Sequence, residues 1–142
     1  MGRKAARIQM ISDLHNEIVS RFPEVRRSIL PGDEELPYVM MSHLVTWLKS
    51  LPGPHLCPEV VNQVVAFVQS CEDQPHGAKS ENDMLTVLTV GFFEKLFDAP
   101  TTRALLPKLI SRGDMSANEK YWRAWVDSAN YDKALNLYRR NT

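Results

Sequence analysis

The run from Ser80 to Asp98, SENDMLTVLTVGFFEKLFD, constrains this chain more than any other stretch, because apolar residues crowd every side of it. Leu85, Leu88, Phe92 and Leu96 recur at helical spacing, while Met84, Val87, Val90, Gly91, Phe93 and Phe97 fill most of the remaining circumference. A helix that is apolar all round is covered by others, so the pattern predicts a central helix over about 80–98. Only Glu94 and Lys95 interrupt it. Ser80, with Glu81 and Asp83, supplies an N-cap oxygen and first-turn negative charge against the positive helix terminus. The β-branched TVLTV also suits a buried strand, but the run far exceeds a strand of ~5–6 residues, and length favours the helix.

The flanking segments carry the same period. Ile8, Ile11, Leu14, Ile18 and Phe22 step by three or four residues, which predicts an amphipathic helix over 5–21 that ends at Pro23. Pro23 opens a short helix to about Ile29, and LPGDEEL is a turn. Tyr38, Met41, Leu44, Val45 and Leu48 define a helix over 37–49, followed by the proline-rich loop SLPGPHLCP. Val61, Val64, Val65 and Val68 define another from Pro58 to about Cys71. Beyond Pro100, Leu105, Leu106, Leu109 and Ile110 predict a helix capped by Thr101 or Thr102, with Pro107 inside it. Arg112-Gly113-Asp114 reads as a turn, Ser116 and Glu119 as a capping box, and Tyr121, Trp122, Trp125 and Val126 as an aromatic helix. A last helix holds Ala134, Leu135, Leu137 and Tyr138. The expectation is an all-α, single-domain bundle of about seven or eight helices over 1–142.

Length and composition agree with that class. A chain of 142 residues, 44% hydrophobic and 24% charged, buries enough surface to fold without staples. Cys57 and Cys71 are too far apart on one helix for a disulfide and read as free thiols of a reducing compartment. No apolar run approaches the ~18 residues of a membrane span, and the N-terminus lacks the apolar core of a signal peptide. A cytoplasmic location follows as the expectation. The net charge is zero but unevenly distributed: +3 over residues 1–30, −7 over 31–100 and +4 over 101–142. An acidic middle between basic flanks is either internal neutralisation or a face for a basic partner.

Tests for chemistry fail on spacing. The glycines are scattered, so no loop cradles phosphate, and there is no nucleophile elbow. Asp13, His15 and Glu17 point to different sides of a helix and read as solvated surface rather than metal ligands. His43 reads as a satisfied histidine at the core's border, Cys71 as inert, and Cys57 beside His55 lacks a nucleophile's signature. Glu94 is the most interesting carboxylate, read first as a structural hydrogen-bond acceptor and second as a catalytic acid. Trp122 and Trp125 read as core, with Arg123 snorkelling. Arg3, Lys4, Arg7, Arg26, Arg27, Arg139 and Arg140 give slight support to nucleic-acid binding, against which zero net charge and an acidic centre weigh. No residue set calls for a cofactor or metal.

The order of Phe22-Pro23, ELPYVMMSHLVTWL at 35–48, a valine-rich helix and NDMLTVLTVGFFEKLF at 82–97 resembles small helical bacterial proteins of uncharacterised domain type. Some of these are similar to immunity proteins encoded beside polymorphic or contact-dependent toxins. The resemblance covers about residues 22–110 and implies a non-enzymatic inhibitor that binds and neutralises a cognate toxin domain, a nuclease for example. Such a toxin is basic where it grips phosphate, so the implied contacts are carboxylates: Asp33, Glu34 and Glu35 on one loop, and Glu72, Asp73, Glu81 and Asp83 around another. Two alternatives stand beside it: a small helical enzyme with a pocket around Glu94 and His43, and a helical nucleic-acid-binding adaptor.

Overall fold

A computed structural model describes residues 14–72 and 84–140. Helices follow one another through short connections: α1 (14–21), α2 (Pro37–Ser50), α3 (Pro58–Glu72), α4 (84–96), α5 (Pro100–Arg103), α6 (Leu106–Leu109), α7 (Arg112–Ala117), α8 (Glu119–Trp125) and α9 (Ser128–Arg140). Two 3-10 turns, Pro23–Ser28 and Asp33–Glu35, join α1 to α2. No strand occurs among the described residues, and the chain is an all-α single domain. The N-terminal part of the helix expected over 5–21, and the cap expected at Ser80, lie outside the described residues.

The long helices form where the apolar period placed them. α2 starts at Pro37, whose missing N–H is harmless in a first turn, and buries Met40, Met41, Leu44, Val45 and Leu48. α3 likewise starts at Pro58 and buries Val64, Phe67, Val68 and Cys71, while Val61 and Val65 are only partly covered. Between the 3-10 turns, Gly32 takes a left-handed φ of 94°, a conformation in which a side chain would be strained.

α4 departs from expectation in its winding and in its cover. Met84–Thr86 and Glu94–Leu96 are α-helical, but Val87–Phe93 between them is a π-helix. A π-helix bonds i to i+5 and so winds more residues into each turn than an α-helix, which brings Val87, Leu88, Phe92 and Phe93 to one side. With Gly91 these form one continuous buried face. At an ordinary α-helical twist Phe93 would point away from that face, which is why the sequence looks apolar on every side. The expected helix covered all round is therefore not found: Leu85 and Val90 are 40% and 38% exposed. The buried face packs most extensively on α2. A Cβ on Gly91 would lie 3.2 Å from Met41 Cβ and 3.3 Å from Tyr38 Cδ1, so glycine lets the two helices approach.

Aromatic rings run through the core on either side of α4. Phe22 meets Trp47 and Phe67 at centroid distances of 5.5 and 6.1 Å, and Phe67 meets Phe92 at 6.0 Å. From the other end, Phe97 meets Trp122 at 5.2 Å and Tyr131 at 6.3 Å.

The C-terminal part is finer-grained than its sequence suggests. Pro107 does not kink one helix over 101–110; it divides the segment into α5 and α6 and sits in the first turn of the second. Thr102 is not an N-cap. Its hydroxyl donates to the carbonyls of Leu96 and Ala99, and Arg103 Nε donates to that of Phe97 at 3.0 Å, so this pair closes the C-terminus of α4. Arg112–Ala117 is a helix rather than a turn, capped by Ser111, whose hydroxyl accepts the Asp114 N–H at 3.0 Å. Ser116 forms no capping box, since it lies inside α7 and Glu119 turns to Arg123 instead.

Helices of four to seven residues are not stable by themselves, and α9 secures them. Tyr138 Oη donates to the Leu106 and Ile110 carbonyls at 2.9 and 2.8 Å, and Tyr131 Oη donates to that of Met115 at 3.0 Å. Replacing Tyr138 by Phe takes the hydroxyl donor from the Ile110 carbonyl, while the Leu106 carbonyl keeps the Ile110 N–H, and is expected to lower the free energy of unfolding by about 1–3 kcal/mol. Gly91→Ala gains about 1 kcal/mol of helix propensity but overpacks against the Cβ of Met41, which costs about 1–3 kcal/mol. A lower urea midpoint is expected for each variant.

Candidate functional site

α8 returns across the outward side of α4, and the two helices enclose an open groove of about 550 Å³. α4 contributes Leu85, Thr86, Thr89, Val90 and Glu94; α8 contributes Tyr121 and Trp125. This follows from the winding of α4. Once the π register has turned Phe93 inward, Thr89 and Val90 are left on the outer side, in line with Leu85 and Glu94. Among the described residues five large hydrophobic side chains are exposed: Leu30, Leu36, Leu85, Val90 and Trp125. Three of the five line this groove, and scattered surface hydrophobics would not converge in this way. Trp125 is 68% exposed, whereas Trp122, one turn earlier, is buried. The expectation that both are core is corrected for Trp125, because the short α8 turns only one of the two indoles toward Phe97.

Polar groups are few and placed at one end. Tyr121 Oη donates a hydrogen bond to Glu94 Oε2. Burial and the neighbouring carboxylate hold the Tyr121 phenol well above its ordinary pKa, so it remains a donor. The Tyr121 and Trp125 rings lie 6.4 Å apart at 41°. Glu94 is thus the structural acceptor read from the sequence, with its donor on α8. Among the described residues lining the groove it is also the only one that carries a formal charge.

Arg123 does not snorkel beside the tryptophans. Its guanidinium sits 4.7 Å from the centre of the Tyr131 ring and pairs with Glu119 and Asp132 at 2.8 Å each, fastening α8 to α9. α8 is therefore held from behind while its other side is left to the groove.

Four of the seven sequence-predicted carboxylates, Asp33, Glu34, Glu35 and Glu72, lie in the described residues. Asp33 is half-buried and engaged within the fold: its Oδ2 accepts the Leu30 N–H at 2.9 Å and lies 2.8 Å from His43 Nε2. His43 is thereby the satisfied histidine expected, and it is not among the residues that line the groove with Glu94. Glu34 and Glu35 are exposed on the 3-10 turn, and Glu72 is exposed at the end of α3. Asp73, Glu81 and Asp83 lie outside the described residues. Cys57 is exposed and Cys71 buried, both free. Burial, with Glu17 and Glu72 adding to it, pushes the Cys71 thiol up to about 12, so it is unreactive. Among the described residues no group of three or more His, Cys, Asp or Glu side chains is placed to hold a metal, and no helix is long and apolar enough to cross a membrane.

Sequence reasoning missed the groove because Leu85 and Val90 were assigned to a covered helix. The available signal was the failure of Phe93 to share a face with Leu88 and Phe92 at α-helical spacing. Comparisons of the chain with protein-family models, curated proteins and solved structures give no match.

The Leu30 N–H, and after it His43, hold the Asp33 carboxyl below the usual carboxylate range. A folded-state pKa below the unfolded one means stabilisation that is present above the unfolded value and lost as pH falls through the folded one. Asp33→Asn, which mimics the protonated acid, is expected to be less stable than wild type at neutral pH. The difference in urea midpoint should close as the pH is taken below the carboxylate range.

Proposed function

We propose that this protein is a non-enzymatic binding protein, an inhibitor of the immunity type that neutralises a cognate bacterial toxin domain in the cytoplasm, and that its interface is centred on the groove between α4 and α8. The observation that carries the reading is the convergence of Leu85, Val90 and Trp125 on one open, firmly backed surface. Interfaces have apolar centres anchored by aromatic residues and polar rims. An exposed tryptophan sharing a groove with two exposed aliphatic side chains matches that anatomy.

Binding is favoured over turnover by the state of the polar groups. Glu94 is engaged by Tyr121, and the other described residues of the groove supply the hydroxyls of Thr86 and Thr89 and the indole N–H of Trp125, none of them a general base. The resemblance of residues 22–110 to the immunity-like proteins points to a toxin as the partner. In this reading the exposed carboxylates Glu34, Glu35 and Glu72 steer a basic toxin domain toward the surface, and Asp33 shapes the loop that presents two of them.

The test uses a toxin domain encoded beside this gene. Trp125→Ala and Val90→Glu should leave the melting temperature nearly unchanged, since these side chains are exposed. They should weaken binding by about 2 kcal/mol or more, as expected for the centre of an interface, and abolish protection of cells that express the toxin. Charge reversal at Glu34 and Glu35 should slow association in a salt-dependent way with little change in dissociation. Full protection by the Trp125 and Val90 variants would place the interface elsewhere.

A further inference from the structure

The groove is apolar along most of its length but ends in a carboxylate. Along α4 the lining residues run from Leu85 through Val90 to Glu94, and Tyr121 of α8 meets the Glu94 end. An occupant that is apolar throughout would strip water from Glu94 and leave the hydrogen bond from Tyr121 as compensation. A carboxylate desolvated with so little in return opposes binding strongly. An acidic occupant would be repelled outright. Only a cation meets the chemistry of that end: it pairs with the carboxylate, with the aromatic rings of Tyr121 and Trp125 in the same groove. The guanidinium of arginine suits the place better than the ammonium of lysine, because its plane stacks on aromatic rings while its edge donates to a carboxylate.

Resting on the binding reading above, we propose that the groove recognises a basic amphipathic helical segment of a partner protein. Two apolar side chains of that segment seat on Leu85 and Val90, and an arginine or lysine about one turn further along reaches Glu94 beside Tyr121. The dimensions fit. From Leu85 to Glu94 is nine residues, at most ~13 Å because the π-wound part rises less per residue than an α-helix, or about two turns of a partner helix. Apolar anchors one turn apart are how a helix lies in a groove. Glu94 then acts in specificity: it penalises neutral and acidic segments more than it strengthens the right one.

The experiment selects binders from a displayed library of random 16-residue peptides against the wild-type protein. The enriched peptides are measured against Glu94→Gln, which keeps an oxygen for Tyr121 but removes the charge, and against Val90→Glu, which blocks the apolar end. Circular dichroism and melting temperature establish that each variant is folded. The expected result is enrichment of sequences with apolar residues three or four apart followed by Arg or Lys. Their affinity should fall roughly tenfold or more on Glu94→Gln and be lost on Val90→Glu, and replacing their basic residue by norleucine should lower wild-type binding by a similar factor. Peptides that need Val90 but show no basic preference, and bind Glu94→Gln equally well, overturn this inference while leaving the groove as the interface. Peptides indifferent to both variants, or no enrichment at all, overturn the groove as an interface and this inference with it.

Discussion

The close approach of α4 to α2 at Gly91 is the contact on which the rest of the structure depends. A Cβ at that position would meet Met41 Cβ at 3.2 Å, an atom that can move only if α2 moves with it. Glycine there allows the helices to touch along their backbones, and Val87, Leu88, Phe92 and Phe93 then reach the core around α2 and α3. The residues available for burial are five apart as well as four, and a π-helix is the winding that turns all of them to one side.

The candidate site is the other face of that same solution. Turning Phe93 inward leaves Val90 in line with Leu85 and Glu94 on the outside, so the winding that completes the core also creates the groove. α8 supplies the second wall because Arg123, Glu119, Asp132 and Tyr131 fasten it to α9, while Trp122 anchors it on Phe97. Trp125 is then held out from the protein by a helix that is itself well secured. A tryptophan presented in this way loses little freedom on meeting a partner, and that preorganisation favours tight binding.

A second theme is how the C-terminal part, built from helices too short to persist alone, becomes ordered. Its carbonyl ends find donors at a distance in sequence: Thr102 and Arg103 for α4, Tyr138 for α6 and the residue after it, and Tyr131 for α7. Arg112 returns a hydrogen bond from its Nη2 to the Tyr138 carbonyl at 2.9 Å. Buried backbone groups must be paired, and in short helices a large fraction of them fall at the ends. Side chains of α9 and its neighbours meet that demand, so this part folds as one with the core.

Sequence alone determined the helical class, the span of α2 and α3 and most of their buried residues, because a 3.6-residue apolar period and proline starts act locally. It also marked His43 and Glu94 as satisfied polar residues, since a polar group among apolar ones must find a partner. Tertiary structure alone decided who the partners are: Asp33 for His43 and Tyr121 for Glu94. It decided as well that Thr102 serves the helix before it, that Arg112–Ala117 is helical, and that Trp125 faces outward while Trp122 faces in. Above all it decided the winding of α4. Local propensity does not distinguish an α from a π register in TVLTVGFF; the choice is made by what α2 requires at Gly91, and with it the position of the groove.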